Sequence, residues 1–260
     1  MLQRKKSWSS LRSVEHYSSQ ALILRIKDLG ESDLLVLFFA PEKGLCKGIA
    51  KAARKSRRRF VNCLDHFSLS QLDYHRKKEN QLFLLDSCKL IQAYEALRTD
   101  YRLLTLSSYL AELAETLFPL HVKADEMFEL LVRSFELLCQ GEAPEKVRIA
   151  FEGRAMAMGG YAINLECCCG CGRAYKGEGR AVFVTEKGGI SCLACRKESK
   201  RYPGMGPKSV RALKEIQGPG YDNFPSGLSN KEVLEELKMI FRQHILYRLG
   251  KRLKTLKYLE

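Results

Sequence analysis

The chain has 260 residues, 45% of them apolar, with 44 Lys and Arg against 30 Asp and Glu for a formal charge of +14. That apolar share supports a packed core and argues against wholesale disorder, while no apolar run approaches the ~20 residues that span a bilayer. The start MLQRKKSWSSLRSVEHYSSQ is basic without an apolar h-region, so export and membrane insertion are excluded as first readings and a cytoplasmic protein is expected.

The charge is segregated. Residues 1–90 carry +9, residues 91–166 carry −5 and residues 167–260 carry +10. Two basic ends around an acidic middle imply separate modules, with polyanion contact through the ends. From Gln20 to Cys88 the periodicity is near two. Leu22, Leu24 and Ile26 share a face of a first strand, Asp33–Ala40 forms a second, Gly44 turns the chain into a third at Leu45–Ala50, and Ser68–Tyr74 and Gln81–Cys88 supply the fourth and fifth. Five short strands with a basic connection between the third and fourth fit a small Greek-key barrel. The OB-fold is the first candidate, and an SH3-like barrel fits the same strand count.

The connection carries Lys47, Lys51, Arg54, Lys55, Arg57, Arg58 and Arg59 within thirteen residues, followed by Phe60. Lys47 alternates onto a solvent face, and the run beyond Ala53 is expected to be a mobile loop. Such a cluster neutralises backbone phosphates without reading sequence, and with exposed aromatics on the barrel it would hold a single strand.

From Ala93 the period becomes 3.6. Leu97, Tyr101, Leu104, Tyr109, Leu113 and Leu117 predict one helix ending before Pro119, followed by helices over 124–139 and from Pro144 to Gly159–Gly160. A last helix is expected from Ser229, with Ser229 and Glu232 as a capping box and Leu228 with Val233 as a hydrophobic staple. Its buried stripe is Leu234, Leu237, Phe241, Ile245 and Leu249, and Gly250 is its weak point.

Six of the ten cysteines fall in residues 167–195, while Cys46, Cys63, Cys88 and Cys139 read as buried small hydrophobes. Cys168-x-x-Cys171 and Cys192-x-x-Cys195 form two tight pairs 20 residues apart, with Gly170 and Gly172 in the first and Gly188 and Gly189 before the second. That is the pattern of a structural four-cysteine zinc site, one Zn2+ closed to water, with Arg180–Val184 as a strand of a zinc ribbon. Cys167 and Cys169 stand one residue off register and read as bystanders, either of which could replace Cys168 in a distorted knuckle. GMGPKSVRAL, residues 204–213, reads as a Pro/Gly linker entering a short helix rather than a helix-hairpin-helix turn. No Walker A, G-x-S-x-G, H-E-x-x-H or G-x-G-x-x-G element is present, so nothing points to catalysis.

The order of these features resembles the bacterial RecO family of recombination mediators. GESDLLVLFFAPEKGLCKGIAKAARKSRRRF, residues 30–60, is similar to that family's N-terminal signature, and Leu64, His66 and Phe67 to its following Leu-x-x-Phe element. Gly160–Tyr161 ahead of the first cysteine pair, Gly188–Gly189 ahead of the second and the terminal KRLKTLKYLE resemble its C-terminal half. The resemblance covers roughly residues 19–260 and implies an OB-fold barrel, a helical domain and a zinc module. It also implies a non-enzymatic protein that binds single- and double-stranded DNA, anneals complementary strands and helps load the RecA recombinase onto coated single strands. RecR and the tail of the single-stranded-DNA-binding protein are its implied partners. The expected organisation is a basic extension over 1–18, the barrel over 19–90, helices over 91–166, the zinc module over 167–202 and closing helices over 203–260. The rival readings are a zinc-ribbon transcription or translation factor and a thiol-redox enzyme using the C-x-x-C pairs.

Overall fold

The structure, a computed structural model, describes residues 14–76, 78, 82–218 and 226–259. Apolar alternation, with Gly30 and Gly44 at the first two reversals, builds five strands in the first 92 residues: β1 (Glu15–Leu29), β2 (Asp33–Ala40), β3 (Gly44–Ala50), β4 (Leu69–Arg76) and β5 (Phe83–Gln92). They close in the order β1-β2-β3-β5-β4, with β1 and β4 antiparallel, β4 and β5 antiparallel, and β3 parallel to β5 from Gly48–Phe83 to Ala50–Leu85. The parallel β3–β5 seam gives the barrel the OB strand order and settles the choice left open by strand count. Inside it, Phe38, Tyr74 and Phe83 meet edge to face or tilted, at centroid distances of 5.0–6.3 Å.

β1 departs from simple alternation, because Ala21, Leu22, Ile23 and Leu24 are all buried. The segment between β3 and β4 continues the β1–β4 ladder there: Phe67 N donates to Ile23 O and Ile23 N to Ser68 O, and Phe60, Cys63, Leu64 and Phe67 of that segment are buried. β1 also begins four residues inside the segment expected to precede the barrel, Glu15 pairing with Arg76 and Ser18 with Asp73. Residues 1–13 of that extension, and Gln81 at the expected start of the fifth strand, lie outside the described residues.

The second unit comprises Phe39–Leu45 and Tyr94–Glu260. The hairpin tip belongs to it because the Leu45 carbonyl accepts from His121 N, and a Cβ on Gly44 would lie 1.9 Å from the Val122 carbonyl oxygen. Gly44 also has φ +61°, so both space and backbone demand glycine there. The helical period read as one helix is two, α1 (Ala96–Thr99) and α2 (Tyr101–Leu117), divided at Asp100. Asp100 is extended, and its carboxylate accepts from the Arg102 and Leu103 amides, an N-cap that the continuous apolar period hides. α3 (Asp125–Cys139) and α4 (Pro144–Met158) follow, and α4 packs against α2, α3 and two later helices.

Beyond α4, β6 (Ala181–Val184) is flanked by β7 (Gly189–Cys192) and the short β8 (Gly204–Met205) in a three-stranded sheet. α5 (Pro207–Gln217) and α6 (Lys231–Leu249) complete the unit. The cap of α6 is Asn230 rather than Ser229: its side chain accepts from Glu232 N and Val233 N. Its buried stripe runs through Val233, Leu237, Ile240, Phe241, His244 and Ile245, leaving Leu234 and Leu249 only half-buried, and Gly250 ends the helix at φ +63°. The closing residues return onto α2, where the Glu112 carboxylate accepts from Lys254 N, Thr255 N and the Thr255 hydroxyl.

α4 approaches α5 and α6 most closely at Gly153, where a Cβ would lie 2.5 Å from Ile216 Cγ2 and 2.7 Å from Phe241 Cζ. Alanine has the better intrinsic helix propensity by about 1 kcal/mol, but overpacking a filled core costs about 1–3 kcal/mol. Gly153→Ala is therefore expected to destabilise the unit by a net of up to ~2 kcal/mol in urea unfolding. An unchanged or raised midpoint would mean that Phe241 and Ile216 yield freely.

Candidate metal centre and nucleic-acid interface

The two halves of the cysteine pattern meet across the three-stranded sheet. Cys168 follows a bridge in which Cys167 pairs with Ala174, and its turn is closed by Gly172 N donating to Cys168 O and Cys168 N to Arg173 O. Cys192 ends β7, and the turn after it closes through Cys195 N donating to Cys192 O. One sulfur from each of Cys168, Cys171, Cys192 and Cys195 lies within 4.8 Å of the others, and Cys171 Sγ and Cys192 Sγ are 3.9 Å apart. Four thiolates at a Zn–S length of ~2.3 Å would sit about 3.8 Å apart in a tetrahedron, so the spacing fits a tetrahedral ion.

Backbone amides complete the cage: Gly170 N and Cys192 N donate to Cys168 Sγ at 3.4 and 3.3 Å. Burial opposes ionisation of the Cys168 thiol, but the Ser191 hydroxyl and the amides of Cys171, Cys192 and Gly170 outweigh it and draw the thiol down to about 5. The facing sulfurs of Cys192, Cys171 and Cys168 push Cys195 up to about 12. Four crowded thiolates repel one another, and a cation among them removes that cost. Cys167 and Cys169 stand outside the group of four. The Cys169 amide donates to Ile190 O, and its side chain is exposed. The donors can hold a metal ion, and four protein sulfurs leave no position for a reacting water.

The scattered cysteines take no part: Cys46, Cys63 and Cys88 are buried and Cys139 is half-buried.

In the barrel unit, Lys47, Lys51, Arg54, Lys55, Arg57, Arg58 and Arg59 are all exposed. The connection expected to be a mobile loop is a hydrogen-bonded structure. Ala53–Lys55 form a turn of 3-10 helix, Arg54 N donates to Ser32 O, Ala52 N to the Asp33 carboxylate at 2.8 Å, and Arg59 N to the Ser56 hydroxyl. The Ala52 amide and the Ser32 hydroxyl, with a smaller contribution from the Lys51 charge, hold the Asp33 carboxyl below the usual carboxylate range. Two of the seven cations are engaged within the protein. The Arg59 guanidinium donates to Lys51 O and lies over the buried Phe60 ring, and Arg54 faces Asp28 at 3.6 Å. Lys47, Lys51, Lys55, Arg57 and Arg58 form no direct ion pair among the described residues.

Among the described residues, most aromatics of the barrel unit are not on the surface. Phe38, Phe60, Phe67, Tyr74 and Phe83 are buried, Tyr17 is half-buried and stacked on Tyr74 at 5.3 Å, and the exposed large apolar side chains of the barrel unit are Val14, Leu29, Val61, Leu82 and Ile91. The period of two is correct, but the aromatics occupy its inner face. Sequence reading also misses Ser32 and Asp33 as anchors of the cationic turn. Their position after the Gly30 turn gives them no local signal, because the contact spans 19 residues.

Among the described residues, no helix is long and apolar enough to cross a membrane. The family model described as Recombination protein O N terminal matches residues 14–94, and that described as Recombination protein O C terminal matches residues 98–257. The chain is similar to the DNA repair protein RecO of Syntrophus aciditrophicus (strain SB), 33% identical over 248 residues, 94% of this chain and 95% of that protein. The DNA repair protein RecO of Anaeromyxobacter sp. (strain K) is 32% identical over 243 residues, 92% of this chain and 94% of that protein. That of Dehalococcoides mccartyi (strain CBDB1) is 28% identical over 244 residues, 94% and 95% of the two chains.

Proposed function

The chain belongs to the RecO family of DNA repair proteins, and from that premise we propose that it is a non-enzymatic mediator: it binds single- and double-stranded DNA, anneals complementary strands and helps load RecA onto coated single strands. The observation that carries this reading is the set of exposed cations outside any ion pair among the described residues, Lys47, Lys51, Lys55, Arg57 and Arg58, on an OB barrel most of whose described aromatics are buried. Cations alone grip phosphates and leave base edges free. Annealing needs that combination, in which two polyanions are screened enough to approach while their bases stay available to pair. Aromatic stacking platforms would sequester the bases instead.

The four-cysteine cluster is assigned one structural zinc. Four cysteine sulfurs at tetrahedral spacing suit zinc among the common divalent ions, and the ion would brace the ribbon rather than react. The RecR and single-stranded-DNA-binding-protein contacts that the family implies are assigned to the helical unit and the ribbon as partner-recruiting surfaces, with Arg59 and Arg54 holding the cationic turn in shape.

Lys55→Ala/Arg57→Ala/Arg58→Ala is expected to weaken single-strand binding uniformly across sequences. It should also flatten the dependence of log K on log salt, by about 2 if each side chain holds one phosphate, since each such contact contributes about 0.7 to the slope. A salt titration by fluorescence anisotropy measures both, and an unchanged slope would remove the turn from the interface. Competition between random and selected oligonucleotides separates this reading from a sequence-reading zinc-ribbon factor, because a mediator shows almost no preference.

A further inference from the structure

The geometry points to a second metal site, on the outer face of the barrel, in which His16, His75 and Asp86 bind a divalent transition-metal ion of the zinc, nickel or copper class. The three residues come from β1, β4 and β5, which are neighbours around the barrel. His16 is the direct cross-strand partner of His75, and their rings lie 5.1 Å apart, tilted by 33°.

Asp86 reaches this pair through an irregularity in the ladder. Asp73 pairs with Ser87 and Tyr74 with Leu85, which leaves Asp86 as the extra residue of a β-bulge. A bulge re-aims side chains and turns two successive residues to one face. Here Ser87 donates to Asp73 at 2.6 Å, while Asp86 Oδ2 lies 2.8 Å from His75 Nδ1. Unbroken register from the Asp73–Ser87 pair would set Asp86 opposite Tyr74 and Leu85 opposite His75; the bulge instead pairs His75 with Leu84 and leaves Asp86 without a ladder partner, its carboxylate on His75.

One donor atom from each of the three lies within 4.8 Å of the others. Two imidazoles and one carboxylate on three hydrogen-bonded strands form an N,N,O set, which suits zinc, nickel or copper over magnesium or calcium. The remaining positions would face solvent, since His16 is exposed and the Asp86 side chain is 43% exposed. The neighbouring cation does not compete for them: Arg76 faces Glu15 at 3.5 Å, and its guanidinium lies over the Phe83 ring at 5.2 Å. This site differs from the cysteine centre in donor chemistry, and it would clamp the start of β1 to β4 and β5.

The test uses the full-length chain without an affinity tag, stripped of metal and titrated with Co2+ and then Zn2+. Two equivalents per chain are expected. One carries the intense thiolate-to-cobalt charge-transfer absorption of the cysteine centre, and the other shows only the weaker ligand-field bands of nitrogen and oxygen donors. His16→Gln, His75→Ala and Asp86→Ala should each weaken the second equivalent at least tenfold and leave the first unchanged, and Ser18→Ala should alter neither. Circular dichroism of each variant separates loss of ligand from loss of the barrel, and His16→Gln keeps a polar side chain at the exposed strand position. Binding of a single equivalent would overturn the assignment. So would a second equivalent that also shows the thiolate band, as Cys167 and Cys169 would give, or one that survives all three variants.

Discussion

Stripping the proposed zinc from the cysteine centre is expected to release the two cysteine turns to near-random-coil amide exchange while β6 stays protected. Structural zinc contributes about 10–16 kcal/mol to small zinc-binding folds, comparable to the ~5–15 kcal/mol that stabilises a whole domain. The turns at Gly170–Gly172 and Cys192–Cys195 have little else to hold them, since Cys171, Cys195 and most of their neighbours are exposed. The centre of the ribbon is different. Phe183 is fully buried with its ring against His244 of α6, Arg180 bridges to Glu236 at 3.0 Å, and the Glu236 carboxylate accepts from Gly206 N. The ribbon is thus fastened at one end by α6, and the proposed zinc would fasten the other.

Cys168→Ser or Cys192→Ser should reproduce the chelator's effect, and Cys169→Ser should not. Hydrogen exchange read peptide by peptide checks this. Equal protection of the turns with and without metal would show that the cysteines are not a folding site.

Glu152→Ala is expected to destabilise the helical unit by about 3–5 kcal/mol, the cost of leaving a buried charge without its partner. Glu152 is 1% exposed. It accepts from the Tyr109 hydroxyl at 2.5 Å and from Arg148 Nε at 2.9 Å, and Arg148 also lies over the Tyr109 ring at 5.1 Å. Burial, with the Glu152 charge beside it, pushes the Tyr109 phenol well above its ordinary value, so the hydroxyl stays protonated and donating throughout the neutral range. These three residues tie α2 to α4, the helix around which the unit packs. Removing the carboxylate strands the Arg148 guanidinium, whose side chain is 12% exposed. Tyr109→Phe should cost less, about 1.5–3 kcal/mol, because one hydrogen bond to a charged group is lost and Arg148 still neutralises Glu152. Urea unfolding of the single variants and of Arg148→Ala/Glu152→Ala gives a double-mutant cycle. If the double variant is as unstable as the sum of the singles, the pair is not coupled and the triad is not a structural unit.

How much of this is legible in the sequence depends on how local its cause is. The bounds of β2 can be read to the residue because a turn closes it at each end, and α4 because Pro144 opens it and two glycines end it. The cysteine quartet announces itself by spacing alone. The OB strand order is not legible, since the β3–β5 seam joins residues more than thirty apart and leaves no periodic trace. Asp100 is hidden because the apolar period runs through it, although its role needs only the two amides that follow. The α6 cap moves by one residue because Ser229 and Asn230 are both good caps and only the backbone chooses between them. Glu152 looks like one more acid on a helix of the acidic middle third, since burial of a charge is set by neighbours on other elements. The seven cations are legible as a cluster. Which of them hold the turn, and which are free to meet phosphate, is visible only in the contacts of Arg59 and Arg54.

The most direct test is annealing of complementary strands pre-coated with the cognate single-strand-binding protein. The protein is expected to accelerate duplex formation strongly, the Lys55→Ala/Arg57→Ala/Arg58→Ala variant to lose most of that acceleration while remaining folded, and added salt to suppress both. Coated strands that anneal no faster with the wild-type protein than without it would contradict the mediator reading and leave a DNA-binding protein of another kind.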